Sequence, residues 1–530
     1  MTGFVRTPCD QGLILAGTPT TRGCAERARP WVLATAILGS SLAFIDGSVV
    51  NVALPAIQAD LGTSLRGAQW IVNAYMLTLS ALILVGGAAG DRFGRRRVFC
   101  VGVAIFTGAS LACGLAPGSG TLIAARAVQG IGAALLVPGS LALISGAFPQ
   151  GERGRAIGTW AGFSALTAAL GPVLGGWLVD AWSWRMIFFV NVPVAAVTLW
   201  LALRHVPESR DKTDTAAVDW PGGLLAAAGL GAVVYGLTAA SGAGWAHLAV
   251  LGSLLAGGLI LATFLRHERH TESPMVPLEL FRSASFAGAN AMTLLLYFAL
   301  SGALFFLPFD LIRIQGYSAT QAGAVFLPFT VIMAGLSRWS GGLIDRYGAR
   351  APLTIGPVIV AIGFALLALP GIGGSYWITF FPPMVVLGLG MAVSVAPLTT
   401  TVMGAVEDRH AGAASGINNA VARVAGLLAV ALLGAVAVGV FGAALDERLA
   451  ALQVSPDVRR FLHAQVPRLA EAQMPPGVGG AEGERLARAL AEAFVSSFRV
   501  MILTAAGLAL VSALCAWLTI GGERTAHPAR

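Results

Sequence analysis

Asp46, Arg126, Asp310 and Arg423 are ionisable residues set inside or at the end of long apolar runs, where a charge calls for a chemical reason. A charged side chain at the centre of a membrane helix costs roughly 2.5–3.5 kcal/mol on insertion scales. Asp46 falls in the run Phe44 to Pro55, about two thirds of the way along the first apolar stretch. Arg126 lies near the start of the fourth stretch, at a depth that the rise of a helix matches to Asp46. Gln129, Gly130 and Ala133 share the helical face of Arg126, and the small residues let a neighbouring helix come close. Two roles fit such a pair: a proton-sensitive carboxylate governed by the arginine, or a fixed structural ion pair. Asp310 ends the ninth stretch three residues before Arg313, as a second carboxylate facing the interior or as half of an interfacial pair. Arg423, following Ser415, Asn418 and Asn419, is expected to make a polar contact between helices.

Backbone chemistry supplies two further candidates. Gly171-Pro172 followed by Gly175-Gly176 interrupts the fifth stretch, and proline inside a helix removes a hydrogen bond and bends it. A hinge and a kink kept for tight packing both fit. The segment Gly87 to Arg96, with Asp91, Arg92, Gly94 and Arg95, returns as Gly341 to Arg350, with Asp345, Arg346 and Gly348. Such carboxylates could accept bonds from helix N-termini and make and break them as a two-state latch.

The elements that hold these residues follow from composition. The chain of 530 residues is 56% hydrophobic and 11% charged, with mean hydropathy +0.76, which a soluble fold could not cover. Apolar runs of about 20 residues suit helices crossing a bilayer, and their lack of alternation excludes a barrel. We read fourteen spans, at 31–54, 68–88, 98–115, 121–144, 156–178, 186–204, 221–240, 246–265, 286–309, 320–344, 352–371, 378–402, 411–441 and 496–519. With both termini inside, 21 of the 34 Lys and Arg residues fall in inner loops and tails, while short outer loops hold only Arg66, Arg185 and Arg313. The net charge of +8 is therefore topological, and no nucleic-acid partner is expected. Residues 1–30 and 520–530 read as cytoplasmic tails, and the first helix directs its own insertion.

The two loop segments are 254 positions apart and follow the second and tenth spans. A duplicated six-helix unit would displace them by six helices, so two have been inserted. The division is a first half at 31–204, a linker at 205–285 with two extra helices, and a second half at 286–519. The inserted pair is expected to pack peripherally against lipid. Within 442–495, the only long extramembrane segment, Leu486, Ala489, Leu490, Ala493 and Phe494 form a helical stripe, read as a helix on the outer surface.

Enzymatic chemistry finds no support. His267 and His270 lack further ligands, the five cysteines have no metal-site spacing, and no glycine loop ends in Gly-Lys-Ser or Gly-Lys-Thr. No metal, cofactor or ATPase subunit is expected.

These residues resemble the major facilitator superfamily, and within it the fourteen-helix drug:proton antiporters, over 31 to 519. The carriers are the Gly87 to Arg96 loop, Arg126-Ala127-Val128-Gln129-Gly130-Ile131-Gly132, Asp46 to Pro55, Gly171 to Gly176, and Trp184 to Pro193. Thr167, Asp310 and Ile312 depart from the family's pattern. The resemblance implies an all-α membrane protein of two six-helix bundles plus two central helices, monomeric and in contact with membrane lipid. It implies alternating access and export of small amphipathic substrates driven by the proton gradient. Asp46 and Arg126 would couple protons, the loop aspartates and arginines would form the latch, and Gly171 to Gly176 would be the antiporter motif. A proton-coupled importer and a non-transporting receptor are the alternatives.

Overall fold

The computed structural model describes residues 19–148, 150–209, 219–271, 274–406, 411–452, 454–476 and 478–521. Within these, the side chains of Asp91, Asp345, Arg338 and many of those in 150–169 fall outside the described set. The described chain is helical, as the bilayer requires: without water, backbone amides and carbonyls must be paired within each segment.

The first half comprises α1 (Pro19–Leu61), α2 (Leu65–Phe93), α3 (Arg95–Gly114), α4 (Ser119–Ala147), α5 (Gln150–Ala181), and α6 (Met186–Phe189) continuing into α7 (Asn191–His205). The inserted pair is α8 (Trp220–Ala243) and α9 (Leu248–His270). The second half comprises α10 (Ala284–Phe309), α11 (Ala319–Ala324) with α12 (Leu327–Gly341), α13 (Leu343–Tyr347), α14 (Arg350–Leu367), α15 (Tyr376–Thr379) with α16 (Phe381–Gly404), α17 (Ala411–Leu452), α18 (Pro456–Gln465) and α19 (Gly480–Thr519). Thirteen of these stretches are long and apolar enough to cross a membrane among the described residues. Helix α5, 32 residues long with its described apolar part at Leu170–Ala181, supplies the fourteenth. The chain is a multi-pass membrane protein.

The halves meet at the far face, where α1 ends and α2 begins. There α5 packs against α11 so closely that a β-carbon on Gly176 would stand 2.2 Å from the Ala319 carbonyl oxygen, and one on Gly323 would stand 2.1 Å from that of Pro172. Asp180, at the end of α5, caps α11 across the interface, its carboxylate accepting from the amides of Ala319 (3.1 Å) and Thr320 (2.8 Å) and the Thr320 hydroxyl (2.5 Å). Helices α2 and α17 run together along their length, Gln69 donating to the Val430 carbonyl (2.6 Å) toward the far face. At the near face α16 packs on α10, α12, α14 and α17 of its own half. Thr399, Thr400 and Met403 at its near end are exposed. The described contacts between the halves close the bundle at the far face.

Two expectations change. The stripe at 486–494 does not form a separate surface helix; it is the first third of α19, which runs unbroken from Gly480 to Thr519. Leu486, Ala489, Ala493 and Phe494 are buried because that extension packs on the continued α17, whose own helix runs to Leu452, and on the short segment between them. Nor is the inserted pair uniformly peripheral. Helix α9 is mostly exposed, with Leu248, Leu251, Leu255 and Leu259 on its surface, but α8 lies against both halves. Its Leu230 and Val234 are buried with Leu427 and Ala431 of α17, and Trp70 and Leu77 of α2 pack against the same cluster.

Candidate functional site

Asp46 and Arg126 meet in the first half. Helix α1 presents Asp46 with no exposed surface, and α4 presents Arg126 at 1% exposure, their Oδ2 and Nη1 atoms 2.5 Å apart. Three more helices complete the centre. Gln129, one turn along α4, donates from Nε2 to Asp46 Oδ1 (2.8 Å) and Ser110 Oγ on α3 (2.8 Å), while its Oε1 accepts from Arg126 (2.6 Å). Asn191, the first residue of α7, donates to Asp46 Oδ1 and Ser110 Oγ, each at 3.3 Å. Arg126 Nε donates to the Ile71 carbonyl on α2 (3.1 Å), and its guanidinium lies 4.2 Å from the Tyr75 ring centroid and 5.9 Å from that of Phe188. Stacking on aromatic faces suits a weakly hydrated guanidinium in a dry setting.

Such a network can hold the charges of a carboxylate and a guanidinium out of water because nearly every polar atom has a partner. It can also exchange one partner for another. Protonating Asp46 would cancel its charge and leave Arg126 with Gln129 and Ile71 alone.

The spacing on α4 was enough to put Gln129 beside Arg126. Ser110 and Tyr75 were missed, and Asn191 was noted only within Trp184 to Pro193. A lone serine or tyrosine in an apolar helix gives no signal until the helix is packed. Trp184 and Arg185 act elsewhere, both bonding Asp60 Oδ2 at the far face (2.9 and 2.8 Å).

Asp310 is 3% exposed at the start of a π-helical turn, Asp310–Ile314, with Gln315 Nε2 at 3.3 Å from its Oδ2. It does not pair with Arg313. The extra residue per turn points Arg313 away, toward Glu471 and the Pro55 carbonyl (3.3 Å). Burial pushes the Glu471 carboxyl above its ordinary range, with Arg313 and Arg468 pulling it back.

Gly171, Pro172, Gly175 and Gly176 lie within the continuous helix α5. Gly171 fits against Ser48, Gly175 against Val49 and Gly176 against Ala319, so each sits where α5 touches α1 or α11. Of the loop residues, Arg92 and Arg346 are exposed, and Gly94 (φ 109°) and Gly348 (φ 73°) take the left-handed backbone that ends their helices. Arg95 donates its amide to the Ser209 carbonyl (3.0 Å). The side chains of Asp91 and Asp345 lie outside the described residues. An acid the sequence reading passed over, Glu208, caps α3, accepting from the amides of Arg96 (3.1 Å) and Arg97 (3.2 Å) and facing both guanidiniums.

The chain is 36% identical over 490 residues to the multidrug resistance protein Stp of Mycobacterium tuberculosis (strain CDC 1551 / Oshkosh), covering 91% of this chain and 90% of that one. It is 33% identical over 518 residues to the tetracenomycin C resistance and export protein of Streptomyces glaucescens, covering 96% and 95%. Among solved structures, a bacterial homologue of the human lysosomal transporter Spinster shares the fold, with a TM-score of 0.65 at 17% identity over 93% of this chain and 97% of that one. The sequence profile of the Major Facilitator Superfamily matches residues 36–430, so the chain belongs to that superfamily.

Proposed function

We propose that this chain is a proton-coupled antiporter that exports small amphipathic molecules across the cell membrane by alternating access, with both termini cytoplasmic. The observation that carries this reading is the fully buried centre of Asp46, Arg126, Gln129, Ser110 and Asn191. Five helices of one half contribute to it, so a change in the charge of Asp46 alters how all five pack. The half then rocks against its partner at the α5–α11 contact. With positively charged loops inside, the near face is the cytoplasmic one. Cargo enters there, the far face opens, and a proton arriving at Asp46 resets the cycle. Resistance and export in the names of the relatives support export over import. The proton gradient is the energy source, a monomer suffices, and no enzymatic step, cofactor, metal or ATPase subunit takes part.

The test is proton-gradient-driven efflux of a fluorescent amphipathic dye from vesicles. Asp46→Asn and Arg126→Ala should each abolish it while the protein still reaches the membrane. Transport that survives both substitutions and collapses only on dissipating the sodium gradient would overturn proton coupling through this centre.

A further inference from the structure

Arg423 lies near the middle of the membrane-spanning part of α17, on the face that follows α2. Gly416, Ala420, Arg423, Leu427 and Val430 recur at helical spacing there; Gly416 meets Leu84, Ala420 and Leu427 pack with α2 residues, and Val430 accepts from Gln69. The expected polar contact between helices is made by Asn418, which donates to Asn290 (3.2 Å) and Thr293 (2.7 Å) of α10, and not by Arg423. The groups that face Arg423 electrostatically are two phenols, Tyr75 of α2 and Tyr297 of α10. Among the described residues, no hydrogen bond or ion pair engages its guanidinium.

The other intramembrane arginines whose side chains are described differ. Arg126 has Asp46, and Arg499 donates to the Ala368 carbonyl (2.9 Å). A guanidinium kept at membrane depth without a counter-ion is costly, and its five donors are left to a visitor. Tyr75 adds a second observation: its ring carries Arg126, and it is near enough to interact electrostatically with Arg423. Two residues before Tyr75 on α2, Asn73 is unexposed, and among the described residues both of its side-chain polar atoms lack partners.

We propose that Arg423 is the anion-recognition point of the transport site, pairing with the carboxylate, sulfonate or phenolate of an amphipathic aromatic acid. Tyr297, part-exposed on α10, would lie against the aromatic body of that cargo. This rests on the transporter reading above and narrows it to organic anions. Occupancy at Arg423 would then reach the proton centre through the shared ring of Tyr75.

The experiment compares two fluorescent probes with the same ring system, anilinonaphthalene sulfonate and uncharged N-phenylnaphthylamine, binding to the detergent-solubilised full chain. Arg423→Gln should weaken the sulfonate roughly tenfold and Arg423→Lys only about threefold, while affinity for the neutral probe stays unchanged in both. Equal loss of both probes, or no loss of the sulfonate, overturns the proposal. Should Arg423→Gln fail to fold, the native chain decides: naphthoate should displace the sulfonate probe and naphthylmethylammonium should not, and equal displacement overturns the idea. Efflux in vesicles separates the two readings. Arginine-dependent binding without proton-driven efflux sinks the exporter alone, whereas efflux with the same preference in Arg423→Gln sinks the anion site alone.

Discussion

At the scale of single residues, the centre around Asp46 makes a quantitative demand. Removing one member of a buried ion pair strands the other, at a cost of about 3–5 kcal/mol. Asp46→Asn and Arg126→Gln should therefore each lower unfolding stability in detergent by roughly that amount, and the double substitution should cost clearly less than the two together. Additive losses in a denaturation cycle would mean that the pair is not coupled. Gln129→Leu is expected to cost about 1–3 kcal/mol, because it leaves Ser110 and Asp46 Oδ1 short of a donor; the same unfolding measurement checks it. Asp46 and Arg126 were legible because charge is rare in apolar sequence and both sit at one depth. Ser110, Asn191 and Tyr75 were not, since polar and aromatic residues at ordinary frequency become informative only when five helices bring them to one point.

The helices impose the next set of constraints. Helix α5 approaches α11 at Gly176 and Gly323 with no room for a β-carbon, and Asp180 caps α11 from the opposite half. Gly176→Val should hold the far face open, and Asp180→Ala should weaken closure by about 0.5–2 kcal/mol, the range for loss of an N-cap. Spin labels across that face would register both as a shift to longer distances, and an unchanged distribution would refute the role of this contact in far-face closure. Glu471 adds a pH dependence. Its carboxyl is raised by burial, so its contribution to holding the 466–471 segment in place is full below the ordinary glutamate range and fades as pH rises through the raised value. Hydrogen exchange of that segment, corrected for intrinsic rates, should quicken with rising pH in the native chain and lose this dependence in Glu471→Gln. The glycine spacing in α5 was visible in the sequence, but its partner Gly323 was not, because nothing local ties position 176 to one 147 residues away. The stripe at 486–494 shows the converse. Its helical period was read correctly, yet an amphipathic stripe is the same whether it lies on a membrane surface or extends a spanning helix.

For the whole molecule, orientation is the open quantity that experiment can fix directly. In a cysteine-free background, Gly374→Cys should react with an impermeant maleimide in intact cells, and Thr271→Cys only after permeabilisation; the reverse pattern would invert the transport direction. Fourteen helices, the doubled loop segment and the insertion of a helix pair were all determined by the sequence itself. Long apolar runs have one answer in a bilayer, where backbone groups must pair within each helix, and the repeat offset counts the helices between its copies. The tertiary structure alone decided which faces of those helices meet. Lipid is as apolar as a helix surface, so hydropathy does not tell a contact with lipid from one with protein. That is why α8, as bland as α9 in sequence, proved to lie against both halves. The same reason left Arg423 looking like an ordinary structural contact until the packed helices set two phenols near it and, among the described residues, no counter-ion.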